Sequence, residues 1–256
     1  MIEFQKAQEA FQEYLKNYDL TDGKVKLKIR HTYEVVKKSE YISKGLGLDN
    51  ENIELAKLIG LLHDIGRFEQ KKQMQNFLDN KRFDHADYGV KLLFQENLIR
   101  KFLKDDSYDN IIKKAIYNHN KYKIEEGLEK QELLHSKIIR DADKLDNFRV
   151  KEVEDLKNIF LSKYNPETIS YETISSKVYD DFINHHSIML ADRKTLIDFW
   201  ICTIAFIFDL NYDISLQYIK DNNYINKLID RIDYKNEDTK QKMEEIRKCA
   251  EDYLEV

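Results

Sequence analysis

Leu61-Leu62-His63-Asp64-Ile65-Gly66-Arg67 is the stretch on which the reading of this chain turns. Residues 55–62 form a mainly apolar run at helical spacing. An imidazole and a carboxylate follow at once, then Gly66, which is expected to stop the helix. Polar groups beside a core cost free energy unless something satisfies them. A divalent metal would satisfy both, because neutral imidazole and carboxylate are common ligands of first-row metals.

Working outward, His31 lies in Arg30-His31-Thr32-Tyr33-Glu34-Val35-Val36, and shares a helix face with Val35. Asp143 lies in Arg140-Asp141-Ala142-Asp143-Lys144-Leu145-Asp146. The order His31, His63-Asp64, Asp143, each in its local context, resembles the HD-domain superfamily of metal-dependent phosphohydrolases over about residues 25–150. The resemblance implies an all-α fold, an HD-domain helical bundle with additional C-terminal helices. It also implies that His31, His63, Asp64 and Asp143 are metal ligands.

His85 and His119 fall between these anchors. In two-metal branches of the family such histidines complete a second site, with the central aspartate bridging both ions. In one-metal branches they touch the substrate phosphate instead, and both alternatives stay open. The implied cofactor is a divalent transition metal (Mn, Fe, Co, Ni or Zn), one or two ions per chain. The implied reaction is cleavage of a small phosphoester, a nucleotide or a related compound, by metal-activated water. Asp64, Arg67 and Lys144 are the candidate catalytic residues. Arg67 and Lys144 are also candidate phosphate contacts, since Arg suits bidentate phosphate binding. Gly66 is followed by Arg67-Phe68 and not by Tyr-Pro, which sets the chain apart from the cyclic-dinucleotide branch. Two other readings use the same scaffold: a mixed-valence di-iron oxygenase, and a nucleotide-binding sensor without turnover.

Composition narrows the class. The chain has 256 residues, 42% of them hydrophobic and 35% charged, with seven glycines and one proline. That favours helices with a sizeable core. A net charge of −5 gives no global positive field, so no stable nucleic-acid partner is expected. The expected partners are a small phosphorylated substrate and a second copy of the chain in a homodimer. Cys202 and Cys249 have neither disulfide-framework nor zinc-knuckle spacing. No leader pattern and no membrane-length apolar run is visible, so a cytoplasmic location is expected.

The helical period runs through nearly every segment. Helices are expected over about residues 2–18 (Phe4, Ala7, Phe11 and Leu15 inward), 24–44, from Asp49 or Asn50 to His63, from His85 through Leu98, 108–119, 130–148, 195–210 and 237–253. Residues 67–83 are polar and read as a loop or short irregular helix over the site, with Lys71-Lys72 and Lys81-Arg82 as solvated charge. Asn165-Pro166 marks a break. Residues 1–256 are read as one all-α domain, with a metal-binding core at 25–150 and residues 151–256 packed on it. His135 and the His185-His186 doublet are expected to be structural, and Asp141 and Asp146 to face away from Asp143.

Overall fold

The computed structural model describes residues 2–75, 77, 79, 83–160 and 165–255. These residues form helices and turns with no strand among them. They fall into two compact units, Met1–Asp143 and Lys144–Val256.

The first unit contains α1 (Phe4–Leu15), α2 (Gly23–Gly45), α3 (Asn50–Leu62), α4 (Ile65–Met74), α5 (His85–Val90) and α6 (Asp109–Asn118). The first fourteen residues of α7 (Lys130–Val153) also belong to it. Helix α1 buries Phe4, Ala7, Phe11 and Leu15 on one face, as its spacing requires. Phe11, Tyr14, Tyr18 and Phe68 form a ring cluster that holds α1 against α4. The Tyr14 hydroxyl donates to the Ile65 carbonyl there. Asp22 caps α2 through the amides of Lys24 and Val25. Asp49 caps α3 through Asn52, which resolves the choice between Asp49 and Asn50.

Helices α2 and α3 meet at Gly60. A Cβ there would lie 3.0 Å from Ser39 Oγ and 3.2 Å from Val36 Cα. This close approach brings the His31 and His63 rings to 5.4 Å between centroids.

Two expectations around Gly66 are corrected. The α3 helix stops at His63–Asp64, before the glycine, and Gly66 lies in the first turn of α4. Residues 67–74, expected as loop or irregular helix, continue α4. The reason for the glycine is packing. A Cβ at Gly66 would sit 2.2 Å from the His85 carbonyl oxygen and 2.8 Å from the Gly89 amide. Only a residue without a side chain lets α4 and α5 come this close. Lys71 of the first basic pair forms an ion pair with Asp22, and Lys81-Arg82 lie outside the described residues.

Asp84 caps α5 through the amides of Ala86 and Asp87. A π-type turn at Lys91–Gln95 and a 3₁₀ turn at Leu98–Lys101 replace the expected continuation of that helix. Arg140 of α7, 2% exposed, donates to the carbonyls of Asn118, Lys121 and Tyr122. It thereby satisfies the carbonyls at and beyond the end of α6, where His119 sits.

The second unit contains the rest of α7, then α8 (Leu156–Ile159), α9 (Ser176–Ile183), α10 (Leu196–Ile204), α11 (Asp213–Asp221), α12 (Tyr224–Asp230) and α13 (Glu237–Glu255). Thr195 and Asp198 form a capping box at the start of α10, and the apolar segment ends in a 3₁₀ turn, Ala205–Asp209. Trp200 is fully buried and donates Nε1–H to the Leu228 carbonyl. Among the described residues no helix is long and apolar enough to cross a membrane.

Candidate metal centre

Three helix ends and two helix interiors converge on Asp64, which itself opens α4. His31 projects from the middle of α2, and Asp143 from α7. His63 closes α3, Asp64 opens α4, His85 opens α5, and His119 closes α6. All four histidines and Asp64 are buried.

The two oxygens of Asp64 face different partners. Oδ2 lies 3.6 Å from His31 Nε2 and 3.5 Å from His63 Nε2. Oδ1 lies 3.3 Å from His85 Nε2 and 3.8 Å from His119 Nε2. His31, His63 and Asp64 make one group that could hold a metal, and Asp64, His85 and His119 make a second. Asp143 Oδ1 adds to the first group, 3.1 Å from His31 Nε2 and 4.0 Å from His63 Nε2. Ligand bonds of about 2.0–2.2 Å put neighbouring donor atoms on one ion about 2.9–3.5 Å apart; three of these six distances lie in that range and the other three exceed it by at most about 0.5 Å.

Hydrogen bonds on the far side of the rings fix which nitrogen is available. His63 Nδ1 donates to the Gly60 carbonyl at 2.7 Å, and His119 Nδ1 to the Ile116 carbonyl at 2.6 Å. A carbonyl can only accept, so both rings carry their proton on Nδ1 and present the Nε2 lone pair inward. His85 Nδ1 donates to Asp79 Oδ2 at 2.7 Å, with the same result. His85 Nε2 and His119 Nε2 then stand 2.9 Å apart as two facing lone pairs. That contact is repulsive by itself and attractive around a shared cation. His63 Nε2 is likewise buried with no hydrogen-bond partner among the described residues. The donor set therefore fits metal ions in both groups.

Electrostatics keep these candidate ligands in the form that could bind a cation. Burial pushes His63 down to about 3, helped by His119 and His31. Burial and the Arg67 charge push His85 down to about 4. Both rings are neutral at pH 7. Burial alone would raise Asp64, but Lys28, His63, His119 and His85 hold it well below the ordinary carboxylate range. Burial opposes and His31 then His63 outweigh it at Asp143, which is also held low.

Three cations need placing. Lys28, one turn before His31, puts its ammonium 2.6 Å from Asp64 Oδ2. Sequence reasoning passed over it, although the i, i+3 spacing to His31 was a usable signal. Arg67 turns its terminal nitrogens away, to Asp79, Gln70 and the Phe77 carbonyl, and keeps only Nε toward Asp64 Oδ1 at 3.7 Å. Lys144, in the second unit, pairs with Asp209 at 2.9 Å. Asp146 pairs with Arg149. Asp79 was also passed over, since a lone aspartate in a polar stretch carries no sequence signal.

His135 bonds Asn52 Oδ1 at 3.0 Å, away from both groups. His185 stacks on Phe208 in the second unit, and no metal-holding group among the described residues includes it or His186.

Comparison with known proteins adds one finding. The family model of the HD domain matches residues 29–147, the segment holding every residue of both groups. No curated protein and no solved structure matches the chain. The match and the buried His/Asp groups agree: residues 29–147 of this chain carry an HD domain, a domain characteristic of metal-dependent phosphohydrolases.

Proposed function

We propose that the chain is a hydrolase of small phosphate esters, nucleotides foremost, working with two divalent transition-metal ions held by its first unit. The observation that carries this reading is Asp64, each of whose oxygens faces a different pair of buried histidine Nε2 atoms. His31, His63 and Asp143 would hold one ion, His85 and His119 the other, and Asp64 both. Ions bound there would lower the pKa of a water toward neutrality and polarise a phosphoryl oxygen.

The chain's own residues do the rest. The hydrogen bonds from His63 and His119 Nδ1 to main-chain carbonyls lock both rings in one tautomer and one orientation. Lys28 supplies a positive charge beside the shared carboxylate, where it would attract and orient an anionic phosphate. Arg67, held by Asp79, contributes its charge to the site's field while its fork stays occupied. Lys144, tied to Asp209, has no part in this scheme.

The test is turnover of a panel of nucleotides and phosphomonoesters by protein loaded with Mn(II), Co(II) or Fe(II). Release of inorganic phosphate is expected from at least one class. His63→Ala should cut kcat by at least about a hundredfold, and Lys28→Met should raise KM more than it lowers kcat. A loaded protein inactive on the whole panel contradicts the reading. The double group would equally serve a di-iron oxygenase, and dioxygen uptake by iron-loaded protein with no phosphate release would favour that alternative.

A further inference from the structure

His63 and His119 each end a helix, so the carbonyl three residues back lies within reach of Nδ1. His85 begins a helix. As the first residue of α5 it has no α5 carbonyl three residues back, and the acceptor for its Nδ1–H comes from outside that helix. Asp79 supplies it. Oδ2 accepts from His85 Nδ1 at 2.7 Å, and Oδ1 accepts from the His85 main-chain amide at 3.1 Å. One carboxylate thus fixes both the ring and the backbone of the same residue.

Asp79 is itself held. Arg67 Nη1 and Nη2 form a fork on Oδ1 and Oδ2, each at 3.0 Å, and Gln70 Nε2 reaches Oδ1 at 3.1 Å. Arg67 Nη1 also donates to the Phe77 carbonyl at 2.8 Å, which pins the chain two residues before Asp79. Five donors converge on one carboxylate, and together His85 and Arg67 overcome the burial that would otherwise raise it. Asn120 also approaches His85 Nδ1, at 3.3 Å, the longer and weaker contact.

We propose that Asp79 is a positioning residue that makes the His85–His119 half of the centre competent to bind its ion, with Arg67 and Gln70 as its clamp. The inference rests on the two-ion reading above. It goes beyond it by giving the two halves unequal support. The half containing His63 is oriented by the main chain of its own helix. The half containing His85 depends on a side chain from the segment after α4. A carboxylate behind a metal-binding imidazole raises its basicity as well as orienting it, and losing such a partner typically costs about 10–100-fold in metal affinity. Removing Asp79 should therefore weaken one ion and spare the other.

The experiment is calorimetric titration of metal-free, full-length protein with Mn(II) and Co(II), with bound metal counted after gel filtration. Wild type, Asp79→Asn, Asp79→Ala and His85→Ala are compared, with far-UV circular dichroism and Tm as folding controls. Asparagine is close in size to aspartate, so it keeps the test valid where alanine unfolds the segment. Wild type is expected to bind two ions. Asp79→Asn should bind one ion with unchanged affinity and the other about 10–100-fold more weakly, and His85→Ala should lose that same ion. An Asp79→Asn protein that binds both ions as wild type does overturns the proposal and leaves the metal centre standing. Equal weakening of both ions in a folded variant also overturns it. A wild-type chain that takes up a single ion overturns the division into two halves. A wild-type chain that takes up none contradicts the metal centre itself.

Discussion

His135 shows how one residue sets a pH limit on the fold. It is 1% exposed, its Nε2 meets Asn52, and burial pushes it down to about 4. Unfolded, it titrates near the ordinary value of about 6.5. Between those values the unfolded chain takes up the proton and the folded chain does not. Stability is therefore full above about 6.5 and is lost as pH falls toward 4. His63 and His85 add to the same slope in metal-free protein. We expect metal-free protein to lose Tm steadily over this interval, and His135→Gln to flatten the loss by on the order of 3 kcal/mol at pH 4. Urea unfolding at stepped pH measures it. Parallel slopes in variant and wild type would contradict the assignment. The residue scale also marks what sequence could reveal. His31, His63-Asp64, His85, His119 and Asp143 stand in motif context and were legible. Lys28 and Asp79 were not, because their roles exist only once Asp64 and His85 have been brought to them.

At the scale of elements, Gly66 is the decisive contact. With α4 and α5 so close, an added Cβ meets main-chain atoms of His85 and Gly89, which cannot rotate away. Gly66→Ala should cost about 1–3 kcal/mol as an overpacked contact. It should also weaken the ion at His85 before the ion at His63, because the strain falls on α5. Tm and metal stoichiometry together check this, and a variant with wild-type values for both would contradict the packing argument. Helix periods and one cap were readable from local chemistry: the inward face of α1, and Asp49 at the start of α3. The end of α3 at His63 was readable, but the role of Gly66 was not, for a physical reason. A glycine near a helix end usually serves as a left-handed cap, whereas this one serves a close approach between segments about twenty residues apart, which no local pattern encodes.

At the scale of the molecule, the first unit assembles its metal groups from α2, α3, α4, α5, α6 and α7, so that binding and folding of this unit are linked. Ligand that binds only the folded state stabilises it by about 2.7 kcal/mol at a concentration one hundred times Kd. The central claim is that Asp64 is shared. The most direct measurement is metal stoichiometry of purified wild type, His31→Ala, His119→Ala and Asp64→Ala after loading with Mn(II) or Fe(II), each confirmed folded by circular dichroism. The account expects two ions per chain in wild type, one in each histidine variant, and none held tightly in Asp64→Ala. An Asp64→Ala protein that retains either ion with wild-type affinity would contradict it.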